Sequence, residues 1–342
     1  MNHTALTQKS DHKTSPDYLI SIVVPVYNVE KHIHACIESI FKQNIDESLF
    51  EVIIVNDGTE DRSMEVIEDI IGQHTNITVI NQDNLSLSVA RNNGIAAAKG
   101  EYILMPDSDD LLIENSLKPL LDKALETKAD LVVADFLEMT DEEINHITTI
   151  PQETLQITEK TGKELFLEDL NPHQCYVWRT LFRREFLLSH NLKFVPGIRY
   201  QDVPFTHECY LKAKRCLRAS RLLNIYRKGH ESATSSFDKK KAKDLCIAIA
   251  ETWELRHIES MSAAAQKKLN NDIFASFSLL IYWMLRNNMN DADRKEIFIF
   301  LQHKVPDLFF SNGLKQIVTS ILFKYAPNFY FTIRQALKSY TK

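Results

Sequence analysis

Residues 100–112, GEYILMPDSDDLL, carry the question on which the fold turns. Tyr102-Ile103-Leu104-Met105 is a short apolar run fit for a buried strand. It delivers the chain directly into three aspartates, Asp107, Asp109 and Asp110. Like charges packed together raise one another's pKa and oppose ionisation. A divalent cation would offset that repulsion. A solvated turn, with Asp110 capping a following helix, would avoid it instead. The surrounding sequence has to separate these readings.

Outward from this stretch, between Leu19 and Phe136, apolar β-branched runs alternate with helical patterns. LISIVVPVY, EVIIVND, ITVINQ, EYILMPD and DLVVADF read as strands buried on both faces. Between them, Ile33, Cys36, Ile37 and Ile40 fall on one helical face, as do Met64, Ile67, Ile70 and Ile71. LSVARNNGIAAAKG and ENSLKPLLDKALETK complete the helices. Strands alternating with helices predict an α/β fold with a mostly parallel sheet. Ligands of such sheets bind outside the carboxyl ends of the strands. Tyr27-Asn28, Asn56-Asp57-Gly58 and Asp107-Ser108-Asp109 all stand where a strand stops, so they should meet along one edge. That convergence favours a ligand site over a solvated turn. No GxGxxG turn and no GxxxxGK[ST] loop is present, which argues against a dinucleotide fold or a P-loop. Phosphates would then need a hard cation, Mg2+ or Mn2+, on aspartate oxygens.

The rest of the chain sets the boundaries. A length of 342 residues fits about two domains, and 44% hydrophobic with 25% charged residues is ordinary for a globular protein. A net charge of −6 argues against nucleic acid as a partner. Five scattered cysteines without a CxxC pair read as reduced, cytosolic thiols. Residues 1–17 are polar, with no signal-peptide core, and read as a flexible tail. The most apolar window, IFASFSLLIYWML at 273–285, falls short of the about 20 residues a spanning helix needs. Residues 137–235 mix patterns: an edge strand or two before Lys160, helices over TGKELFLEDL and WRTLFRREFLLSHN, a turn at Pro196-Gly197 leading into another helix, and a strand in RASRLLNIYRKG. From 236 to 342 the pattern is helical.

The ordered set SIVVPVYNVEKHIHACIESI, VIIVNDGTEDRS and SVARNNGIAAAKGEYILMPDSDD resembles the family 2 inverting glycosyltransferases, as found in bacterial surface-polysaccharide biosynthesis. The resemblance is close over 19–136 and looser through VWRTLFRREFLLSHNLKFVPGIRYQDVPF. It implies a GT-A fold, a Rossmann-like sheet flanked by helices. Residues 18–235 would form the catalytic domain, with 18–136 binding the nucleotide sugar and 137–235 the acceptor. It further implies that Pro25, Val26 and Tyr27 border the nucleobase and that Asp57 accepts a hydrogen bond from it. Arg91 would support the nucleotide, Asp107 and Ser108 would face the ribose, and Asp109 with Asp107 would ligate the metal. The family's Glu-Asp pair reads Gln201-Asp202 here, making Asp202 the general base. Glu208 and Asp169 stand next in line. Gln201 for glutamate and Ser86 for a common glycine are departures from the pattern.

The implied partners are a nucleotide sugar, UDP-linked by preference, and a glycan or glycolipid acceptor. Trp178 is either an acceptor wall or a core residue. Arg227 or His230 either closes over the diphosphate or belongs to a solvated loop. An inactive subunit that binds a sugar nucleotide in a glycan assembly complex is the alternative function. A nucleotidyltransferase would carry a glycine-rich loop where PVYNVEKH stands.

At the C-terminus, Leu314, Ile317, Val318, Ile321, Leu322 and Tyr325 form an apolar stripe, and NFYFTIRQALKSYTK a second amphipathic segment. From Lys304 onward there are six Lys/Arg and one acid. Such helices either dock on their own domain or lie on an anionic bilayer, which would place a cytoplasmic enzyme at the inner face of the membrane.

Overall fold

The structure, a computed structural model, describes residues 18–147, 149–229, 237–259 and 261–326. Its strands are β1 (Tyr18–Val26), β2 (Phe50–Asn56), β3 (Ile77–Asn81), β4 (Gly100–Leu104), β5 (Leu111–Leu112), β6 (Leu131–Thr140), β7 (Ile157–Lys160), β8 (Thr180–Arg183) and β9 (Cys216–Lys228). The helices are α1 (Ile33–Phe41), α2 (Glu68–Gln73), α3 (Leu87–Ala97), α4 (Leu117–Thr127), α5 (Asp141–His146) and α6 (Gly162–Glu164). They continue with α7 (Arg184–Ser189), α8 (Asp202–Lys212), α9 (Lys239–Glu254), α10 (Ala263–Arg286), α11 (Asp291–Lys304) and α12 (Leu314–Tyr325).

One sheet runs in the order β3-β2-β1-β4-β8-β6-β9-β5, with β7 paired to β9. Side chains alternate across it, as a strand of period two requires. Ile20, Ile22 and Val24 of β1 join a core layer under α1 and α4, while Val23 joins the layer on the opposite face. Both faces are therefore covered, which explains why these strands are apolar throughout. The second layer is continuous from Val23 and Ile53 through Phe205 of α8 to Ile249, Phe277 and Phe323 of the C-terminal helices. The C-terminal helices thus share one core with the sheet. No helix among the described residues is long and apolar enough to cross a membrane.

Parallel pairing holds through β3-β2-β1-β4. Beyond it the sheet is mixed, because β8 inserts antiparallel to both β4 and β6. The helix expected over 178–191 therefore begins only at Arg184. Thr180–Arg183 is a strand because Leu181 and Phe182 bury on opposite faces, one in each core layer. In a helix the two would point only about 100° apart, not to opposite layers.

Helix α12 docks on the domain, but not through the apolar stripe. In α12 it is Gln316, Thr319, Ser320 and Phe323 that are buried. Leu314 is 78% and Tyr325 74% exposed, with Val318 and Ile321 exposed between them. Hydrogen bonds hold the polar face inward: Gln316 Nε2 donates to Asn271 Oδ1 (2.9 Å), and Ser320 Oγ accepts from Phe310 N (2.8 Å). The second amphipathic segment, with Tyr330, Ile333, Leu337 and Tyr340, lies outside the described residues.

Helix α3 approaches the sheet through Gly94, where an added Cβ would lie 2.1 Å from Val23 Cγ1. Gly94→Ala should lower unfolding stability by about 1–3 kcal/mol, the usual cost of overpacking. Chemical denaturation measures it, and an unchanged midpoint would contradict this packing.

Candidate functional site

At the carboxyl end of β1, Pro25 and Val26 are buried, and Val26 O accepts the Asp57 N–H (2.9 Å). Tyr27, 39% exposed, is the member of that trio whose side chain reaches the surface. The next residue, Asn28, adopts a left-handed φ of 52°. Its N–H donates to Thr59 Oγ1 (2.8 Å) and its Oδ1 accepts from Glu60 N (3.0 Å). The loops following β1 and β2 are thereby knitted together, with Tyr27 at their lip.

Buried Asp57 organises the segment between β3 and α3. Its Oδ1 accepts from Gln82 Nε2 (2.7 Å) and Leu85 N (2.8 Å), and its Oδ2 from Ser86 N (3.1 Å). Three donors thus occupy the carboxylate expected to meet a nucleobase. Ser86 holds φ 105° and ψ 155°, a region almost reserved for glycine. The glycine-like geometry is kept although the glycine is not. Asp57 holds the Ser86 N–H, and Ser86 Oγ accepts from Gly197 N (3.1 Å).

Past β4, Asp107, Asp109 and Asp110 bring carboxylate oxygens within 4.8 Å of one another. Asp110 does not cap a helix: α4 begins six residues after β5 opens, with Ser116 at its cap position. Instead Asp110 Oδ1 accepts the Arg227 backbone N–H (2.8 Å), while its Oδ2 is buried without a partner. Burial first, and then Asp107 and Asp109, push Asp110 up to about 9. Asp107 is pushed up to about 6, by enclosure in the cleft against the pull of Arg91, with Asp109 and Asp202 adding to the rise. Its side chain is still 29% exposed, so water softens that effect. A cluster of hard oxygens whose charge is opposed this strongly suits a hard divalent cation.

Arg91 of α3 is 1% exposed. Its Nη2 pairs with Asp107 Oδ1, and its Nη1 donates to Gln201 Oε1 (3.1 Å). Gln201 Nε2 then donates to Oδ1 of half-buried Asp202 (3.0 Å), the first residue of α8. Asp57 follows β2, two strands from the acidic loop after β4, with β1 between. The expected base is therefore joined to the acidic loop through two side chains. Burial raises the Asp202 pKa and Arg91 lowers it. Glu208 is tied to Lys212 (2.6 Å), and Asp169 to Lys160 (2.5 Å), so neither stands ready as a base.

Trp178 takes the core alternative: it is 2% exposed, stacked on Tyr176 (centroids 4.8 Å) and Tyr226 (5.8 Å). Half-buried Tyr176 and Tyr226 are its neighbours toward the cleft. Asp202 is among the charges raising the first, and Asp110, Asp109 and Asp107 among those raising the second, both mainly through burial. Arg227 is buried, and its guanidinium pairs with Asp141 rather than facing an open loop. His230 lies outside the described residues. Sequence reasoning missed Gln82 and both tyrosines; it named Asp110 in the cluster but also offered it as a helix cap, which it is not. Alternation along β9 was the available signal for Tyr226, which must face opposite to Arg227.

The profile of the family described as "Glycosyl transferase family 2" matches residues 21–188. The chain is 37% identical over 226 residues to the uncharacterized glycosyltransferase EpsJ of Bacillus subtilis, covering 63% of each chain, just under two thirds of that relative's length. It is 30% identical over 240 residues to glycosyltransferase GlyG of Streptococcus pneumoniae, covering 66% of this chain and 77% of that one. Among solved structures, S. aureus TarS 1-349 in complex with UDP-GlcNAc superposes with a TM-score of 0.66 at 20% identity, over 83% of this chain and 80% of that one. The fold is accordingly that of TarS: a curled mixed sheet with flanking helices and further C-terminal helices.

The Asp110 carboxyl predicts a pH dependence. A free aspartate titrates near about 4, whereas the folded one holds its proton to about 9. Between those values the folded form binds a proton that the unfolded chain has shed, so stability falls as pH rises. In EDTA the melting temperature should decline from pH 5 to pH 9, and Asp110→Asn should flatten the decline. Mn2+ or Mg2+ should stabilise most at the alkaline end. Parallel profiles for wild type and Asp110→Asn would refute the assignment.

Proposed function

Since this chain belongs to glycosyl transferase family 2, we propose that it moves a sugar with inversion from a UDP-sugar to a hydroxyl of a polysaccharide or lipid-linked glycan. The observation that carries the proposal is the hydrogen-bonded path Asp107–Arg91–Gln201–Asp202, which ties a strand-end acidic cluster to a lone acid across the cleft. Tyr27 would border the nucleobase with the backbone of Pro25 and Val26, and Asp57 would hold the loop beside it while offering its remaining lone pair to the base. Arg91, Asp107 and Ser108 would face the nucleotide. Asp109 and Asp107 would hold Mg2+ or Mn2+, with Asp110 behind them. A cation there would balance the charge of the departing diphosphate.

The protein's own residues do the remainder. The acceptor hydroxyl oxygen attacks the anomeric carbon from the face opposite the diphosphate. As the new C–O bond forms, the bond to the diphosphate oxygen breaks and its electron pair leaves with UDP. Asp202 takes the hydroxyl proton, and back-side attack inverts the configuration. The acceptor sugar would lie against Tyr176 and Tyr226, with Trp178 stiffening them from behind. No hydroxyl partner for either tyrosine occurs among the described residues. Arg227 would reach the diphosphate only by leaving Asp141.

A panel of nucleotide sugars with and without Mn2+ tests the donor. UDP-sugars should raise the wild-type melting temperature in a metal-dependent manner, and Asp109→Ala should lose the metal dependence. Asp202→Asn should keep donor stabilisation and lose transfer by about 100-fold or more. Equal metal response in Asp109→Ala would remove the ligand assignment. Donor binding with no transfer or hydrolysis by the wild type would favour the inactive-subunit reading.

For localisation, the solvent-facing stripe of α12 supports contact with the inner face of an anionic membrane. Leu314, Val318, Ile321 and Tyr325 are exposed, Lys315 and Lys324 share the helix, and no acid does. Sedimentation with phosphatidylglycerol vesicles should retain the full chain, and Val318→Glu with Ile321→Glu should release it. Retention of the double variant would show that another surface binds.

A further inference from the structure

The Gln201 amide sits between a guanidinium and a carboxylate, and that setting fixes which way it points. Arg91 only donates, so the amide atom facing it must be the oxygen. A flipped amide would set NH2 against the guanidinium. The nitrogen is thereby committed to Asp202 Oδ1 (3.0 Å), with the oxygen on Arg91 Nη1 (3.1 Å). Gln201 is 4% exposed and Arg91 1%, so water competes little for either bond. The far end of Arg91 pairs with Asp107, and its flank lies over the Phe194 ring (5.3 Å to the centroid). Tyr200, immediately before, is held in a left-handed φ of 61°, which turns the chain sharply into α8 at this point. A buried side chain with both amide groups engaged, at a forced backbone turn, has little freedom left.

We propose that Gln201 is a positioning residue: its amide clamps the Asp202 carboxylate to Arg91, and so to the donor-side Asp107, and leaves Asp202 Oδ2 to receive the acceptor proton. The proposal rests on the reading of Asp202 as the base. It also explains why an amide works where the family pattern has glutamate. A carboxylate at 201 could still accept from Arg91, but its other oxygen would oppose Asp202 Oδ1 instead of donating to it. The two acids would then repel or share a proton. With the amide, Asp202 can be both ionised and held.

Arg91 from α3 is the charge that acts on Asp202, and Asp202 in turn raises Asp107 from the loop after β4 and Cys175 and Tyr176 from the segment before β8. The test uses the full chain with Mn2+ and UDP-N-acetylglucosamine, water serving as acceptor, and reads UDP release against pH. Gln201→Met should lower kcat by about 10–100-fold, below the full worth of a general base, with the donor KM within about two-fold. Gln201→Glu should lower kcat at neutral pH and move the acid limb of the kcat profile upward. On an Asp202→Asn background, Gln201→Met should cost nothing further, because the two act as a unit. Gln201→Met at wild-type kcat, or Gln201→Glu with an unmoved profile, would overturn the proposal. Loss expressed only in donor KM would do so too. Should Gln201→Met melt below the assay temperature, Gln201→Glu decides, since it keeps the bond to Arg91. Full activity in Asp202→Asn would instead remove the base reading itself. An inactive Asp202→Asn beside an unimpaired Gln201→Met removes only the role of Gln201.

Discussion

A guanidinium taken almost wholly out of water is the constraint around which this cleft is arranged. Arg91 is 1% exposed, and burying a charge is costly unless it is paired and hydrogen-bonded. The pairing comes from two remote parts of the chain, Asp107 after β4 and Gln201 before α8, while Phe194 covers one flank. Its Nε remains without a partner. Removing any member would leave the others buried and unbalanced, which is why breaking such a pair costs more than the pair contributes. The same contact that makes the core tolerable therefore ties the loop after β4 to the start of α8.

A second constraint works through the backbone. Ser86 occupies a conformation that costs an L-residue on the order of 1–3 kcal/mol. Asp57 anchors it from β2, and Gly197 bonds its hydroxyl from the segment that leads to Asp202. Asp57 is thus a scaffold for the loop, whatever its proposed contact with a base adds. The loop it shapes opens α3, the helix that carries Arg91. Strain at Ser86 and burial at Arg91 lie five residues apart, about 1.4 helical turns, and each takes one bond from the segment around α8's start, from Gly197 and Gln201 respectively.

What could be read in the sequence followed from local rules. Strands buried on both faces announce themselves as unbroken apolar runs, so β1, β2, β4 and β6 were legible, as were the acids at their ends. Thr180–Arg183 was not, because four residues flanked by helix formers carry no period of their own, and only the two core layers choose strand. The stripe on α12 was legible as a pattern, but its direction was not. Periodicity says which residues share a face, whereas the hydrogen bonds of Gln316 and Ser320 decide which face turns inward. Trp178 shows the same limit, since an aromatic residue's place in a wall or behind it depends on neighbours 50 residues away, such as Tyr226. Gln201 was visible as a departure from a pattern, but its partners were not.

The charge balance of the cleft gives that departure its sense. Asp107, Asp109 and Asp110 cluster on one loop, and Arg91 bonds Asp107 directly and Asp202 through Gln201, while Arg227 is turned to Asp141. Asp110 answers by holding a proton to about 9, and Asp107 is pushed to about 6. As the proposed base, Asp202 must do the opposite and stay ionised until an acceptor arrives. Every further negative charge near Asp202 would push its pKa upward and make that harder. A neutral amide at 201 adds no charge and donates to the carboxylate, so it lowers the cost of the ionised form while fixing its direction. The acidic loop can then be as negative as a cation site requires without disabling the acid across the cleft.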